Sequence, residues 1–188
     1  MKADRMYHSI RLLLCRTGVK RAAYLKKHKL FGAIGDNCSW GPWRLPLYSE
    51  LICLHDNVRV HKKAVFMTHD MLNRFLSICY PEKDFGHRER IGCIEVMDNV
   101  YIAIHVQIMP NVRIGRNCLI TAGSIVTSDI PENSIASGNP AKPVGRFDMF
   151  AALRAMGKGQ TKAFKNQELP RELAEEEWER FYKRHGDS

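Results

Sequence analysis

Branched aliphatic residues recur at every sixth position through the middle of the chain. From Val96 the series runs Ile102, Ile108, Ile114, Ile120 and Val126. Four positions after each of the first five stand Val100, Val106, Val112, Cys118 and Ser124. A small or hydroxylated residue often follows the aliphatic one, as at Ala103, Gly115 and Thr121. A helix repeats at about 3.6 residues and a half-buried strand at about 2, so neither produces this period. The pattern predicts short strands joined by tight turns, three hexads closing one triangular coil. Successive coils would stack at about 4.8 Å and bury a continuous column of the aliphatic side chains. Gly115, Asn99, Asn111 and Asn117 are expected at the corners, because glycine and asparagine tolerate positive φ.

The period continues less regularly upstream. Leu54, Val60 and Phe66 are six apart, with Val58 and Ala64 four after the first two. Ile34-Gly35-Asp36-Asn37-Cys38-Ser39, followed by Trp40-Gly41, reads as the first hexads. Their register is offset by two residues from Leu54, which puts an irregular corner near Pro42 to Ser49. Between His69 and Cys93 the pattern vanishes, and residues 70–93, with Asn73, Pro81 and Gly86, read as a long loop thrown out of a coil. Long loops in compact domains are commonly functional or disordered. Residues 1–33 carry Met6, Ile10, Leu13, Leu14, Ala22 and Leu25 at helical spacing. They read as a basic helical extension capping the open end of the stack rather than docking on a membrane. Residues 148–188 read as a second helical extension, with Pro170 at the first helical position and charges at helical offsets from Glu172 to Arg184. The coil itself is assigned to 34–147.

Composition narrows the class without adding chemistry. With 188 residues, 45% hydrophobic and 26% charged, the chain suits one globular domain with small appendages. No apolar run approaches a membrane span, and Ile10 to Cys15, broken by Arg11, is too short and charged for a secretory signal. The six cysteines form no Cys-x-x-Cys pair, and Cys38 and Cys118 fall where the repeat needs small apolar groups. Reduced thiols in a cytoplasmic protein are the expectation. The net charge of +9 is scattered and aromatics are 9%, so no nucleic-acid module is evident.

Three segments carry a family likeness: Leu54-His55-Asp56-Asn57-Val58, Thr68-His69-Asp70 and Ser137-Gly138-Asn139-Pro140-Ala141-Lys142. Together with the hexads they resemble the hexapeptide-repeat acyltransferases, over roughly residues 34–147. Within that group they are similar to the maltose, galactoside and xenobiotic acetyltransferases and to the O-acetyltransferases of bacterial surface polysaccharides. The resemblance implies a left-handed parallel β-helix, a homotrimer with active sites between subunits, and acetyl-coenzyme A as co-substrate with no metal. Spacing alone gives the coil but not its hand. Met71-Leu72-Asn73 is similar to the polysaccharide branch, which implies a sugar hydroxyl as acceptor.

By that resemblance His69 is the general base. A hydroxyl is a weak nucleophile near neutral pH, and a neutral imidazole can take its proton and return it to the leaving sulfur. Direct transfer in a ternary complex is expected, since no cysteine stands beside His69 in sequence. Asp70, Glu95 and a backbone carbonyl all remain candidates for the group orienting the imidazole. Strand alternation counts against Asp70. The resemblance puts oxyanion donors at the backbone of Ala103 and Ile104. It lays Ile104, Ala122 and Thr127 along the pantetheine arm, and brings Lys142 and Arg146 to the phosphates. Relatives often carry a base three positions after the residue matching Lys142, where this chain has Gly145, and tryptophan where it has Tyr101. Trp43, Tyr48 and Asn73 are the acceptor-pocket candidates.

Two other classes share such a coil. A γ-type carbonic anhydrase needs three convergent histidines on zinc, two of them five apart. His55, His61, His69, His87 and His105 include no such pair. A non-catalytic scaffold or binding module is the other alternative, distinguished by the absence of thiol release from acetyl-coenzyme A.

Overall fold

The computed structural model describes residues 2–86, 89–156 and 169–186. Met1, His87, Arg88 and the helical expectation over 157–168 and 187–188 lie outside them. Two helices open the chain, α1 (Lys2–Leu14) and α2 (Gly18–Lys27). The coil begins with β1 (Ala33–Ile34), β2 (Ser39–Trp40), β3 (Ile52–Leu54), β4 (Arg59–Val60) and β5 (Val65–Phe66). It is interrupted by β6 (His69–Asp70), α3 (Leu72–Cys79) and β7 (Arg90–Ile91). It resumes as β8 (Ile94–Val96), β9 (Val100–Ile102), β10 (Gln107–Ile108), β11 (Val112–Ile114), β12 (Cys118–Ile120) and β13 (Ile125–Val126). A hairpin of β14 (Ser134–Gly138) and β15 (Ala141–Arg146) follows, then α4 (Phe147–Met156) and α5 (Arg171–His185).

Consecutive strands enter three different sheets, which makes the coil three-sided. The faces are β1-β3-β8-β11, β2-β4-β9-β12-β14-β15 and β5-β10-β13. All neighbours in them are parallel except β15, which returns antiparallel along β14. The six aliphatic residues from Val96 to Val126 are completely buried, and so, nearly, are Val100, Val106, Val112, Cys118 and Ser124. Burial pushes the Cys38 and Cys118 thiols up, and each donates to a carbonyl of an adjacent rung, Cys38 to His55 at 3.0 Å and Cys118 to Pro131 at 3.2 Å.

One corner is an asparagine ladder. Asn37, Asn57, Asn99 and Asn117 all have positive φ, and the side-chain amides of the first three each donate to the next asparagine oxygen at 2.7–2.9 Å. The partners lie 20, 42 and 18 residues apart along the chain. The interval of 20 carries the two-residue offset before Leu54. The interval of 42 against 18 is the 24-residue insertion at 69–92. That insertion is not a plain loop: β6 and β7 close its base as an antiparallel pair, and α3 sits within it.

Gly115 corrects one expectation. It does not have positive φ among the described glycines; it is needed because the next rung is short, Ile114 bridging Ile130. A Cβ at Gly115 would lie 2.6 Å from the Glu132 nitrogen.

α1 uses a different face from the one its apolar spacing predicts, whereas α2 buries the expected Ala22 and Leu25. Leu12 is buried, while Met6, Ile10, Leu13 and Leu14 are exposed. The buried side is held by polar groups: His8 Nδ1 pairs with the Tyr24 hydroxyl at 2.8 Å, and Ser9 Oγ accepts from the Leu45 N–H at 3.1 Å. α2 packs on β1 and β2 through Ala22 and Leu25, covering the first rung. The Arg21 guanidinium joins the layers, donating to the carbonyls of Leu12 and Gly41 at 2.9 and 3.1 Å.

The chain divides into two compact units, Met1–Ala152 and Leu153–Ser188. In the second, α5 carries the Arg171–Glu175 and Arg180–Glu176 ion pairs, and Trp178 stacks on Tyr182. Pro170 is its N-cap rather than its first helical residue.

Ile108→Ala is expected to lower unfolding free energy by about 3 kcal/mol, because neighbouring rungs prevent the cavity from collapsing. Gly115→Ala is expected to lower it by about 1–3 kcal/mol through the clash with Glu132. Urea unfolding of each variant measures both.

Candidate active site

The insertion leaves the coil at the corner after β5, and its base is tightly tied. Thr68 is buried and donates through Oγ1 to the Leu47 carbonyl at 2.6 Å. The Gly92 N–H donates to the Thr68 carbonyl at 2.8 Å, closing the two ends. His69 pairs with Ile91 and Asp70 with Arg90 in the short antiparallel neck. His69 is therefore held by coil and neck together. Its Nδ1 is buried without a hydrogen-bond partner among the described residues.

Tyr48 packs edge-on against the His69 ring at 5.4 Å between centroids. Its hydroxyl donates to Glu89 Oε2 at 2.6 Å, and that bond pushes the phenol up from its ordinary pKa. Glu89 had no signal in the sequence, since it lies 41 residues from Tyr48 and outside the period. The carboxylates considered for His69 are engaged elsewhere. Asp70 accepts the Leu72 N–H at 3.1 Å in the turn leading into α3. Glu95 takes His55 Nε2 at 3.0 Å and Arg113 Nε at 2.6 Å. Those two hydrogen bonds, His55 first, hold the Glu95 carboxyl below its usual range.

A second set of residues stacks at the corner between the second and third faces. The turns 61–64, 103–106 and 121–124 lie over one another, linked by the N–H of His61 to Ile102, Ala103 to Ile120 and Thr121 to Ala136. This places Ile104 above Lys62–Lys63 and beneath Ala122–Gly123. Gly123 N–H donates to the Ile104 carbonyl at 3.0 Å. The Ala103 N–H is consumed by the ladder at 3.1 Å, so it is not available as an oxyanion donor. The Ile104 N–H has no partner among the described residues. Lys142 reaches the same column, because it pairs with Ser137 and the Thr121 hydroxyl donates to Ser137 Oγ at 2.7 Å. Arg146, at the far end of β15, is taken up by Asp148, with Nε to Oδ1 at 3.0 Å. Thr127 follows β13 on the other edge of the third face, in the column that begins at Met67 beside His69.

The base candidate and the Ile104–Ala122 corner thus occupy opposite edges of one face. Lys63 and His69 are six residues apart along the chain, so at most roughly 20 Å separates them.

The acceptor candidates do not share one pocket. Tyr48 is beside His69, Asn73 is on α3, and Trp43 lines a cavity of about 350 Å³ with Trp40, Arg44, Lys62, Lys63 and Val65. Among the described residues no three His, Cys, Asp or Glu side chains gather as a metal-holding group. His87 lies outside those residues.

Residues 94–128 match the family model for the bacterial transferase hexapeptide (six repeats). The chain carries that hexapeptide repeat. A candidate acetyltransferase of Staphylococcus aureus (strain COL) is 44% identical over 69 residues, covering 35% of this chain and 35% of that protein. The hexapeptide chain therefore matches about a third of the length of that curated relative. A hexapeptide-repeat-containing acetyltransferase of Vibrio cholerae O1 biovar eltor, crystallised with acetyl-coenzyme A, shares 18% identity and a TM-score of 0.55. The match covers 77% of this chain and 86% of that one. A maltose O-acetyltransferase from Clostridium difficile 630 shares 24% identity and a TM-score of 0.53, over 77% of this chain and 87% of that one. At these identities the structural likeness is one of fold. No helix among the described residues of this hexapeptide protein is long and apolar enough to cross a membrane.

The Glu95 cluster yields a pH dependence with a definite sign. A carboxyl depressed by folding contributes stability above its unfolded pKa, and that contribution is lost as pH falls through the folded value. Glu95→Gln is therefore expected to cost about 0.5–1 kcal/mol at pH 7 and almost nothing once Glu95 is protonated in strong acid. Urea titrations of both proteins across that range check it.

Proposed function

We propose that the chain transfers an acetyl group from acetyl-coenzyme A to a hydroxyl of a saccharide acceptor, with His69 as general base. The carrying observation is the fixed His69 at the neck of the insertion, beside Tyr48 and one face-width from a corner with an unpaired Ile104 N–H. His69 takes the acceptor proton as the hydroxyl oxygen attacks the thioester carbonyl carbon. The Ile104 N–H stabilises the oxyanion that forms. The carbon–sulfur bond then breaks, and the proton passes from the imidazole to the departing coenzyme A thiolate. No acyl-enzyme is required.

The coenzyme lies along the Ile104–Ala122 corner in this reading, with Thr127 facing it across a subunit boundary and Lys142 at the phosphate end. Arg146 is the weaker phosphate ligand, because it must first leave Asp148. The relative from Vibrio cholerae, which binds acetyl-coenzyme A on the same fold, supports the choice of acyl donor. The opposed edges of the third face support a homotrimer, in which one subunit's His69 meets the next subunit's corner. A left-handed coil is part of the same reading, by likeness to the hexapeptide transferases. So is a cytoplasmic location, which suits six free cysteines.

His69→Asn is expected to slow thiol release from acetyl-coenzyme A by at least about a hundredfold with a saccharide acceptor present, while leaving the unfolding curve near wild type. Undiminished turnover in that variant would overturn the assignment of the base.

A further inference from the structure

Several cationic groups of the coil and of α2 are partnered. Lys26 is with Asp36, Arg113 with Glu95, Arg146 with Asp148, and Arg59 donates to Asn37. The cavity containing Trp43 is different. Arg44, Lys62 and Lys63 all line it, and among the described residues no acidic side chain does. None of the three forms an ion pair with a described carboxylate.

The rest of the wall is apolar and aromatic. Trp43 is half-exposed, with the Arg44 guanidinium 4.9 Å from its centroid, so an aromatic face and a cation are already organised together. Trp40 is almost completely buried in the same wall, and its Nε1 has no partner among the described residues. Such an unpaired buried donor calls for an explanation. A recess of one charge sign, walled by apolar groups, concentrates its field on whatever enters.

Position connects the cavity to the chemistry. The Lys62–Lys63 turn lies one rung beneath Ile104, and one rung is about 4.8 Å. A ring seated on Trp43 can therefore hold a hydroxyl near the oxyanion donor while its charged substituent faces the two lysines.

We infer that this cavity is an anion-selective acceptor subsite, which takes a sugar bearing a carboxylate or phosphate group. It rests on the acetyl-transfer reading and narrows its substrate class. The anionic group meets Lys62, Lys63 and Arg44, and the ring stacks on Trp43.

Binding is measured on the full chain without acetyl-coenzyme A, by calorimetric titration with glucuronic acid, glucose 1-phosphate and methyl glucoside. At least one anionic sugar is expected to bind about tenfold or more tightly than the neutral one. The better of the two identifies the anionic group. The preference should fall at high salt and vanish in Lys62→Gln/Lys63→Gln, which changes two exposed side chains and is expected to leave the unfolding curve near wild type. Equal binding of all three sugars, no binding of any, or a preference that survives the double substitution overturns the subsite. So does a double variant that weakens acetyl-coenzyme A instead of the sugar. Thiol release is followed separately: anionic selectivity without acetyl transfer removes the enzyme reading alone, and transfer to neutral sugars alone removes the subsite alone.

Discussion

A strand of two or three residues cannot hold itself together, and the whole fold is arranged around that fact. Each inward aliphatic side chain is buried only because equivalent side chains lie above and below it in neighbouring rungs. The register is consequently rigid along the faces. Extra chain can leave only where it does not disturb the column, at a corner. The 69–92 insertion does this, and the two sides of the ladder continue across it with Leu54 on Val96, Val60 on Ile102 and Phe66 on Ile108.

That rigidity makes the corners useful. His69 inherits its position from β5 on one side and from the β6–β7 neck on the other. Ile104 inherits its position from the stacking of three turns. The segment between Gly41 and Tyr48 links the two regions. Its Arg44 and Trp43 face the cavity by the lysines, Leu47 receives the Thr68 hydroxyl, and Tyr48 lies against His69. Pro42 and Pro46 keep it from becoming a regular strand, because each lacks a ladder N–H.

What could be read from sequence was whatever the column and its corners repeat. Ile102 to Val126 declare the inward face, and Asn99, Asn111 and Asn117 declare turns that need positive φ. Gly115 was visible as a corner residue, but its reason was not, since the short rung that presses on it is a matter of contact rather than pattern. The α1 apolar series misled because His8, Ser9 and Leu12 supply the packed side, two of them through hydrogen bonds that hydrophobic spacing ignores. His69 stood out beside the lost period. Glu89 on Tyr48, and the gathering of Arg44 with Lys62 and Lys63, depend on chain crossings that no local rule contains.

The reversed strand at the end of the stack has a consequence for the molecule's company. A column of parallel rungs presents backbone donors and acceptors that a second such column could extend, in the way fibrils elongate. β15 runs against β14 and so offers an arriving rung a template of opposite polarity. At the other end the first rung lies under α2. Head-to-tail addition is thereby discouraged along the second face at one end and along the first two faces at the other.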